Sequence, residues 1–254
     1  MVGVAYERRG PAAVLTIDRP ERRNAVDGPT ADALEAGFRR FADDDDAAVL
    51  VLTGAGDVAF CAGADLKAID TLEPRLESEG GPLGFTRLTS PKPTIAAISG
   101  WCLAGGLELA LWCDLRIAAE GATLGLPERR WGVPLIDGGT QRLPRVVGMG
   151  RALDLMLTGR LIDAREAHAI GLVTEVVPAG AHLDRALAVA HGIAAFPQPT
   201  LRSDRLAALE GAGLPLEQGL ELEARLGRAS HPTGVEGARR FAGGEGRGGA
   251  GSGV

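Results

Sequence analysis

Twice in this chain an uninterrupted apolar run leads into a segment built almost wholly of small residues and glycine. The first run, AVLVL at residues 48–52, closes at Gly54 and is followed by AFCAGADLK at 59–67. The second, TIAAI at 94–98, passes directly into SGWCLAGGLEL at 99–109. Short apolar runs without polar alternation mark strands that are buried. Glycine among small residues just beyond such a strand lets backbone approach a ligand closely, with N–H groups turned towards a cleft. Alone, the first segment reads equally as a tight turn before a helix and the second as glycines that permit close packing; taken together, they point to a covered sheet with main-chain donors at its strand ends.

The other elements fit around this frame. Residues 13–17 form another short apolar run, and Asp27-Gly28-Pro29 opens a helix in which Leu34, Phe38 and Phe41 share a face. The acidic run at residues 43–46 reads as a solvated turn. Residues 70–91, polar and punctuated by Gly and Pro, read as a variable loop holding at most one short helix. A helix is expected over residues 105–112. Another ends at Gly159, and a third is capped by Asp163 with Glu166 and closed by Gly171. From residue 181 onward the apolar spacing is helical throughout. The expected organisation is a body over residues 1–180, a helical subdomain over 181–242 and a disordered Gly-rich tail at 243–254.

With 254 residues, 45% of them apolar, the chain has ample material for a core. Its three cysteines, Cys61, Cys102 and Cys113, form neither a C-x-x-C pair nor a metal-spaced cluster with histidine, which points to a reducing compartment and no zinc site. A net charge of −6 with interleaved signs argues against nucleic-acid binding. No run approaches the ~18 apolar residues of a membrane span, and residues 1–11 do not read as a signal peptide, so a cytoplasmic chain is expected.

Two glutamates carry the chemical argument. Glu108 lies one turn into the helix opened by Gly105-Gly106, among Leu107, Leu109, Ala110, Leu111 and Trp112. A carboxylate in such surroundings has a raised pKa and suits general acid work. The amides at the start of that helix are unpaired donors that favour an anionic oxygen. Glu128 follows Gly125-Leu126-Pro127 on a turn at a strand end. Alone, either glutamate could equally be an ordinary carboxylate paired with Arg129 or Arg130. Asp137, just before Gly138, reads first as an N-cap. Trp101 and Trp131 read as packing residues.

Taken together, these segments resemble the crotonase, or enoyl-CoA hydratase/isomerase, superfamily. The similarity runs in order through RNAV (23–26), AFCAGADLK, AGGLELA (104–110), DLRIA (114–118) and LPE (126–128). It continues through GGTQRLPRVVG (138–148), LTGR (157–160), AIGLVTEVV (169–177) and EGARRF (236–241), covering roughly 220 residues. The resemblance implies an α/β fold, a spiral of stacked ββα units with a helical C-terminal trimerisation subdomain, assembled as a homotrimer or homohexamer. It implies an oxyanion hole from the amides of Ala64 and Gly105. Glu108 and Glu128 would then add water across the double bond of a 2-enoyl-CoA. CoA is expected along Arg23, Ala25, Ala62 and Lys67, with Gly63, Asp65, Gly106 and Asp137 also on the substrate path. Neither a metal nor a cofactor beyond the substrate's own CoA is expected.

Members that only shift a double bond commonly lack the first glutamate, so the presence of both favours hydration. An enoyl- or dienoyl-CoA isomerase is the nearest alternative, made more attractive if Asp137 faces the pocket. A non-catalytic acyl-CoA binder is the alternative from another class.

Overall fold

The computed structural model describes residues 3–245. Ten strands form two sheets. The larger holds β1 (Val4–Arg9), β2 (Ala12–Ile17), β3 (Val49–Gly54), β5 (Thr94–Ile98), β7 (Leu115–Ala119) and β10 (Glu175–Val177), in that spatial order. β1 and β2 are antiparallel and every later pairing is parallel. The smaller holds β4 (Ala59–Cys61), β6 (Trp101–Leu103), β8 (Thr123–Gly125) and β9 (Leu161–Asp163). Each pass of the chain thus lays one strand in the large sheet and the next in the small one: β3 then β4, β5 then β6, β7 then β8. After β6 the pass continues into helix α2 (Gly105–Trp112). This is a spiral of ββα units.

The uniform apolarity of the strands has a direct cause. Side chains alternate across a strand, and both faces of the large sheet are covered. Leu15, Leu50, Leu52, Ala96 and Ile98 point into the main core beneath α1 (Gly28–Asp43) and α2. Their neighbours Val14, Val49, Val51, Ile95 and Ala97 point the other way, against Ala186, Val189 and Ala190 of α6 (His182–Ala195). α6 therefore belongs to the sheet, although it lies C-terminal to residue 180. α7 (Gln198–Gly211) and α8 (Leu216–Ala242) pack chiefly on one another.

Two helices open on aspartate caps, of which Asp163 is the expected one. Asp27 accepts from the Thr30 amide at 2.9 Å to start α1. Asp163 accepts from the Glu166 amide at 2.7 Å to start α5 (Ala164–Ala169). α4 (Met149–Thr158) ends at Gly159 in the left-handed conformation. The acidic turn is solvated as expected, with residues 43, 45 and 46 exposed, and it is tethered by an Asp46–Arg8 pair at 2.8 Å and by the Asp44 carbonyl, which accepts from the buried Lys92 ammonium at 2.6 Å.

Residues 70–91 depart most from expectation. They begin within a kinked 3-10 helix, Leu66–Arg75, and then turn inward, so that residues 80–86 are buried. Phe85 stacks edgewise on Trp112 with ring centroids 4.5 Å apart and meets Phe38 at 5.4 Å. The glycines that suggest a loose loop are here for close packing. A Cβ on Gly80 would lie 2.0 Å from the Gly84 carbonyl oxygen, and one on Gly84 would lie 2.7 Å from that of Ala31. Of the tail expected at 243–254, residues 246–254 lie outside the described residues.

Leu50 has no exposed surface. Leu50→Ala is expected to lower unfolding free energy by about 2–5 kcal/mol, measured as a fall in urea midpoint at unchanged slope; a loss below about 1 kcal/mol would contradict the packing described.

Candidate active site

The two glycine segments meet at the ends of β4 and β6, which run parallel with Cys61 opposite Cys102. Beyond β4 the chain turns through Gly63 (φ +97°) to Ala64; beyond β6 it turns through Ala104 into α2. The approach leaves no room for side chains. A Cβ on Gly63 would lie 3.0 Å from the Gly105 nitrogen, and one on Gly105 would lie 3.7 Å from the Ala64 nitrogen and 2.4 Å from a Leu83 methyl. Among the described residues, neither the Ala64 nor the Gly105 amide has a hydrogen-bond partner. Both residues line one cavity of about 170 Å³. Ala104 holds φ 53°, ψ −126°, a backbone state in which an L-residue is strained by roughly 1–3 kcal/mol. That strain lies directly at the N-terminus of α2, where the helix dipole places partial positive charge.

Glu108 and Glu128 line the same cavity. Glu108, 3% exposed, accepts from the amides of Gly139 at 2.7 Å and Asp137 at 3.0 Å, both on Oε1. Burial nevertheless dominates and raises its pKa to about 8, with the charges of Asp137 and Glu128 adding to the shift. Glu128 stands on the 3-10 helix Pro127–Trp131 after β8. Neither of its carboxyl oxygens has a protein partner, and burial raises its pKa too. Arg129 turns instead to the Met156 carbonyl, so the salt-bridge reading of Glu128 is not realised. Two carboxyls of raised pKa beside two free amides can hold a neutral molecule, exchange protons with it and stabilise an anionic oxygen.

Asp137 is not the expected cap. Gly138, at φ +101°, itself occupies the N-cap position of α3 (Gly139–Val147), which has no side-chain cap. The Asp137 carboxylate accepts from the Leu83 amide at 3.0 Å and from the Thr86 hydroxyl. It does line the cavity. Burial raises its pKa, opposed by the Thr86 and Leu83 hydrogen bonds.

Arg23 and Lys67 are exposed and, among the described residues, carry no ion pair; Ala62 lines the cavity and its amide donates to the Arg23 carbonyl at 3.1 Å. Ala25 is buried, its carbonyl held by Arg19. One Asp65 oxygen pairs with Arg19 at 3.1 Å and the other caps Leu66–Arg75 through the Lys67 amide at 3.2 Å, so its side chain braces the loop. A Cβ on Gly106 would fall 2.1 Å from the Cys61 carbonyl oxygen, so its absence lets α2 pack on β4, and neither Gly106 nor Gly63 lines the cavity.

Sequence reasoning passed over Asn24 as an individual. It is buried, at φ 55°, and its amide donates to the Ala59 carbonyl at 2.6 Å and the Ala55 carbonyl at 3.1 Å, holding the start of the first glycine segment. Trp131 corrects a packing assignment: it is 74% exposed at the cavity, where the exposed apolar residues Leu66, Ile69, Leu76 and Ile136 also gather. A cluster of exposed apolar side chains around a cavity marks a ligand entrance. A larger cavity of about 600 Å³ lies elsewhere, lined by residues of α2, β7, α6 and α7, but its carboxylate, Asp114, is already paired with Arg205 at 2.8 Å.

Comparison with known proteins agrees with this geometry. The family model for enoyl-CoA hydratase/isomerase matches residues 7–242. A probable enoyl-CoA hydratase of Rhizobium meliloti is 40% identical over 224 residues, covering 87% of this chain and 86% of that protein. A crotonyl-CoA hydratase of Syntrophomonas wolfei is 39% identical over 225 residues, covering 87% and 86%. The crystal structure of enoyl-CoA hydratase EchA1 from Mycobacterium marinum superposes with a TM-score of 0.90 at 36% identity, covering 94% of this chain and 95% of that one. On this evidence the chain belongs to the enoyl-CoA hydratase/isomerase family and has the crotonase fold.

Proposed function

We propose that the chain hydrates a 2-enoyl-CoA to the 3-hydroxyacyl-CoA. The observation that carries this reading is the single cavity shared by two unpaired amides, Ala64 and Gly105, and two buried carboxyls of raised pKa, Glu108 and Glu128. The relatives named for enoyl- and crotonyl-CoA hydration support the same reaction and an acyl-CoA substrate.

In the reaction the thioester carbonyl oxygen lies against the two amides. One carboxylate takes a proton from water as the water oxygen bonds to C3, and the π electrons move onto the carbonyl oxygen. The other carboxyl gives its proton to C2 as the enolate collapses. The amides stabilise charge that exists only along this path, which is where binding accelerates chemistry; one such donor is worth roughly 3 kcal/mol. The pair must hold one proton in total, because with none there is no donor and with two there is no acceptor. Hydration is redox-neutral, so the reading calls for no cofactor beyond the CoA of the substrate. Arg23 and Lys67 supply cations for its phosphates.

Asp137 lines the cavity with Oδ1 tied to Leu83 and Thr86, and the choice of hydration over isomerisation rests on the paired glutamates and on relatives named for hydration. For the assembly we propose a homotrimer or homohexamer. Met149, Leu153 and Leu157 form an exposed apolar stripe along one face of α4, and Leu216, Leu220 and Phe241 are exposed on α8. A cytoplasmic setting accords with three buried, unpaired thiols. No helix among the described residues is long and apolar enough to cross a membrane.

Crotonyl-CoA should lose its conjugated-thioester absorbance when mixed with the protein. Glu108→Gln and Glu128→Gln should each lower kcat by roughly 10²- to 10⁴-fold while butyryl-CoA still binds; a variant that keeps wild-type turnover removes that residue from the mechanism. The pH profile of kcat/KM should fall as pH rises through about 8, where Glu108 loses its proton.

Stability carries its own signature. A carboxyl whose folded pKa is raised binds its proton more tightly in the native state, so its contribution is complete below the unfolded value of 4.5 and is lost as pH climbs towards about 8. Urea midpoints for wild type should therefore decline over that window relative to Glu108→Gln; parallel curves would mean that Glu108 is not held as described.

A further inference from the structure

Asp137 makes bonds in three directions. Its amide donates to Glu108 Oε1 at 3.0 Å, its carboxylate accepts from the Leu83 amide at 3.0 Å and from the Thr86 hydroxyl, and its carbonyl accepts from Arg142 at 2.9 Å. The other arm of Arg142 donates to the Thr86 carbonyl at 2.5 Å. Asp137, Leu83 and Thr86 are each at most 3% exposed. The segment so tied forms a wall of the cavity: Pro82 and Leu83 line it, and the Leu83 methyl covers the face of Gly105. Two glycines in the left-handed region, Gly81 (φ +89°) and Gly84 (φ +109°), flank this wall. Neither position has room for a side chain, Gly81 facing the Thr86 hydroxyl and Gly84 the Ala31 carbonyl, and the buried carboxylate fixes the segment between them.

The Leu83 methyl stands 2.4 Å from where a Cβ on Gly105 would lie, so this wall limits how far an acyl chain can run past the thioester carbonyl. A longer chain along this wall needs Pro82 and Leu83 to withdraw, and that withdrawal breaks both bonds to the Asp137 carboxylate. Resting on the hydratase reading above, we propose that Asp137 is a positioning residue whose latch on Leu83 and Thr86 closes the acyl pocket and restricts this chain to short 2-enoyl thioesters. Its charge is not what the latch requires, only an acceptor at that place.

Binding of butyryl-, hexanoyl- and decanoyl-CoA, followed by calorimetry, tests the latch without turnover. Wild type should bind butyryl-CoA at least tenfold more tightly than decanoyl-CoA. Asp137→Ala should reduce that ratio to about threefold or less, by weakening the short ligand and strengthening the long one. Asp137→Asn, which keeps an oxygen to accept both donors, should retain the wild-type ratio. If Asp137→Ala does not fold, Thr86→Val, which removes one donor and keeps the shape, should shift the ratio in the same direction. An unchanged ratio in Asp137→Ala, or in Thr86→Val where that variant stands in, overturns the proposal. So does equal loss in Asp137→Asn and Asp137→Ala, or wild-type protein that binds long and short chains alike. Protein that shows the expected binding pattern yet leaves crotonyl-CoA unhydrated would end the hydratase reading and leave the latch standing.

Discussion

The close approach of the turn at Gly63 and Ala64 to the first residue of α2 is the contact on which the rest of the site depends. A Cβ on Gly63 would crowd the Gly105 nitrogen, and one on Gly105 would strike the Leu83 methyl that covers it. The parallel pairing of β4 with β6 brings the two turns level. Asn24 and the Arg19–Asp65 pair hold the first from behind, and the Gly125 carbonyl, 2.9 Å from the Ala104 amide, holds the second. The strained backbone of Ala104 fits this account: the surrounding bonds oppose relaxation, and the direction of the Gly105 amide is set before any substrate arrives.

Donors of this kind gain strength from the same exclusion of water that shifts the carboxyls. Glu108 has two backbone amides on one oxygen, an arrangement that by itself favours the ionised form, and yet burial keeps its proton to about pH 8. The geometry divides its two oxygens: Oε1 is committed to α3 and its preceding turn, which leaves Oε2 as the oxygen free for chemistry. Glu128 has no such anchor on either oxygen. A buried carboxyl without a partner is costly to a fold, and its retention beside the cavity is intelligible only if a ligand supplies the missing bonds.

Much of this was legible before any coordinates. The bounds of α2, the buried strands, the start of α1 after Asp27 and the cap at Asp163 follow from local rules, because each depends on residues within a turn of one another. Glu108 was legible for a related reason: five apolar neighbours in sequence sufficed to indicate burial. The failures share a different cause. Asp137 looked like a cap, but Gly138 adopts a left-handed φ that occupies the capping position and releases the carboxylate towards a segment more than fifty residues away. The stretch from 70 to 91 looked loose because glycine in a flexible loop and glycine forced by a backbone contact leave the same letter in the sequence. Within the most telling motifs the Asp65 side chain braces the loop and Gly106 permits close packing, roles that the sequence does not display because proximity to a site says nothing about which way a side chain turns.

The misreadings of Asp137 and of residues 70–91 concern one structure, and this explains why they occurred together. The wall over Gly105 is assembled from residues 80–86, the turn before α3 and the first turns of α2, three segments distant in sequence. Only a group with several bonding directions can join them, and a buried aspartate with its own amide and carbonyl has that capacity. Apolar packing by Phe85 secures one end of the wall but is not directional. The carboxylate adds direction, linking the shape of the acyl pocket to the position of Glu108 through a single residue. In this fold the amides are positioned by what glycine leaves out, whereas the pocket wall is positioned by what Asp137 reaches.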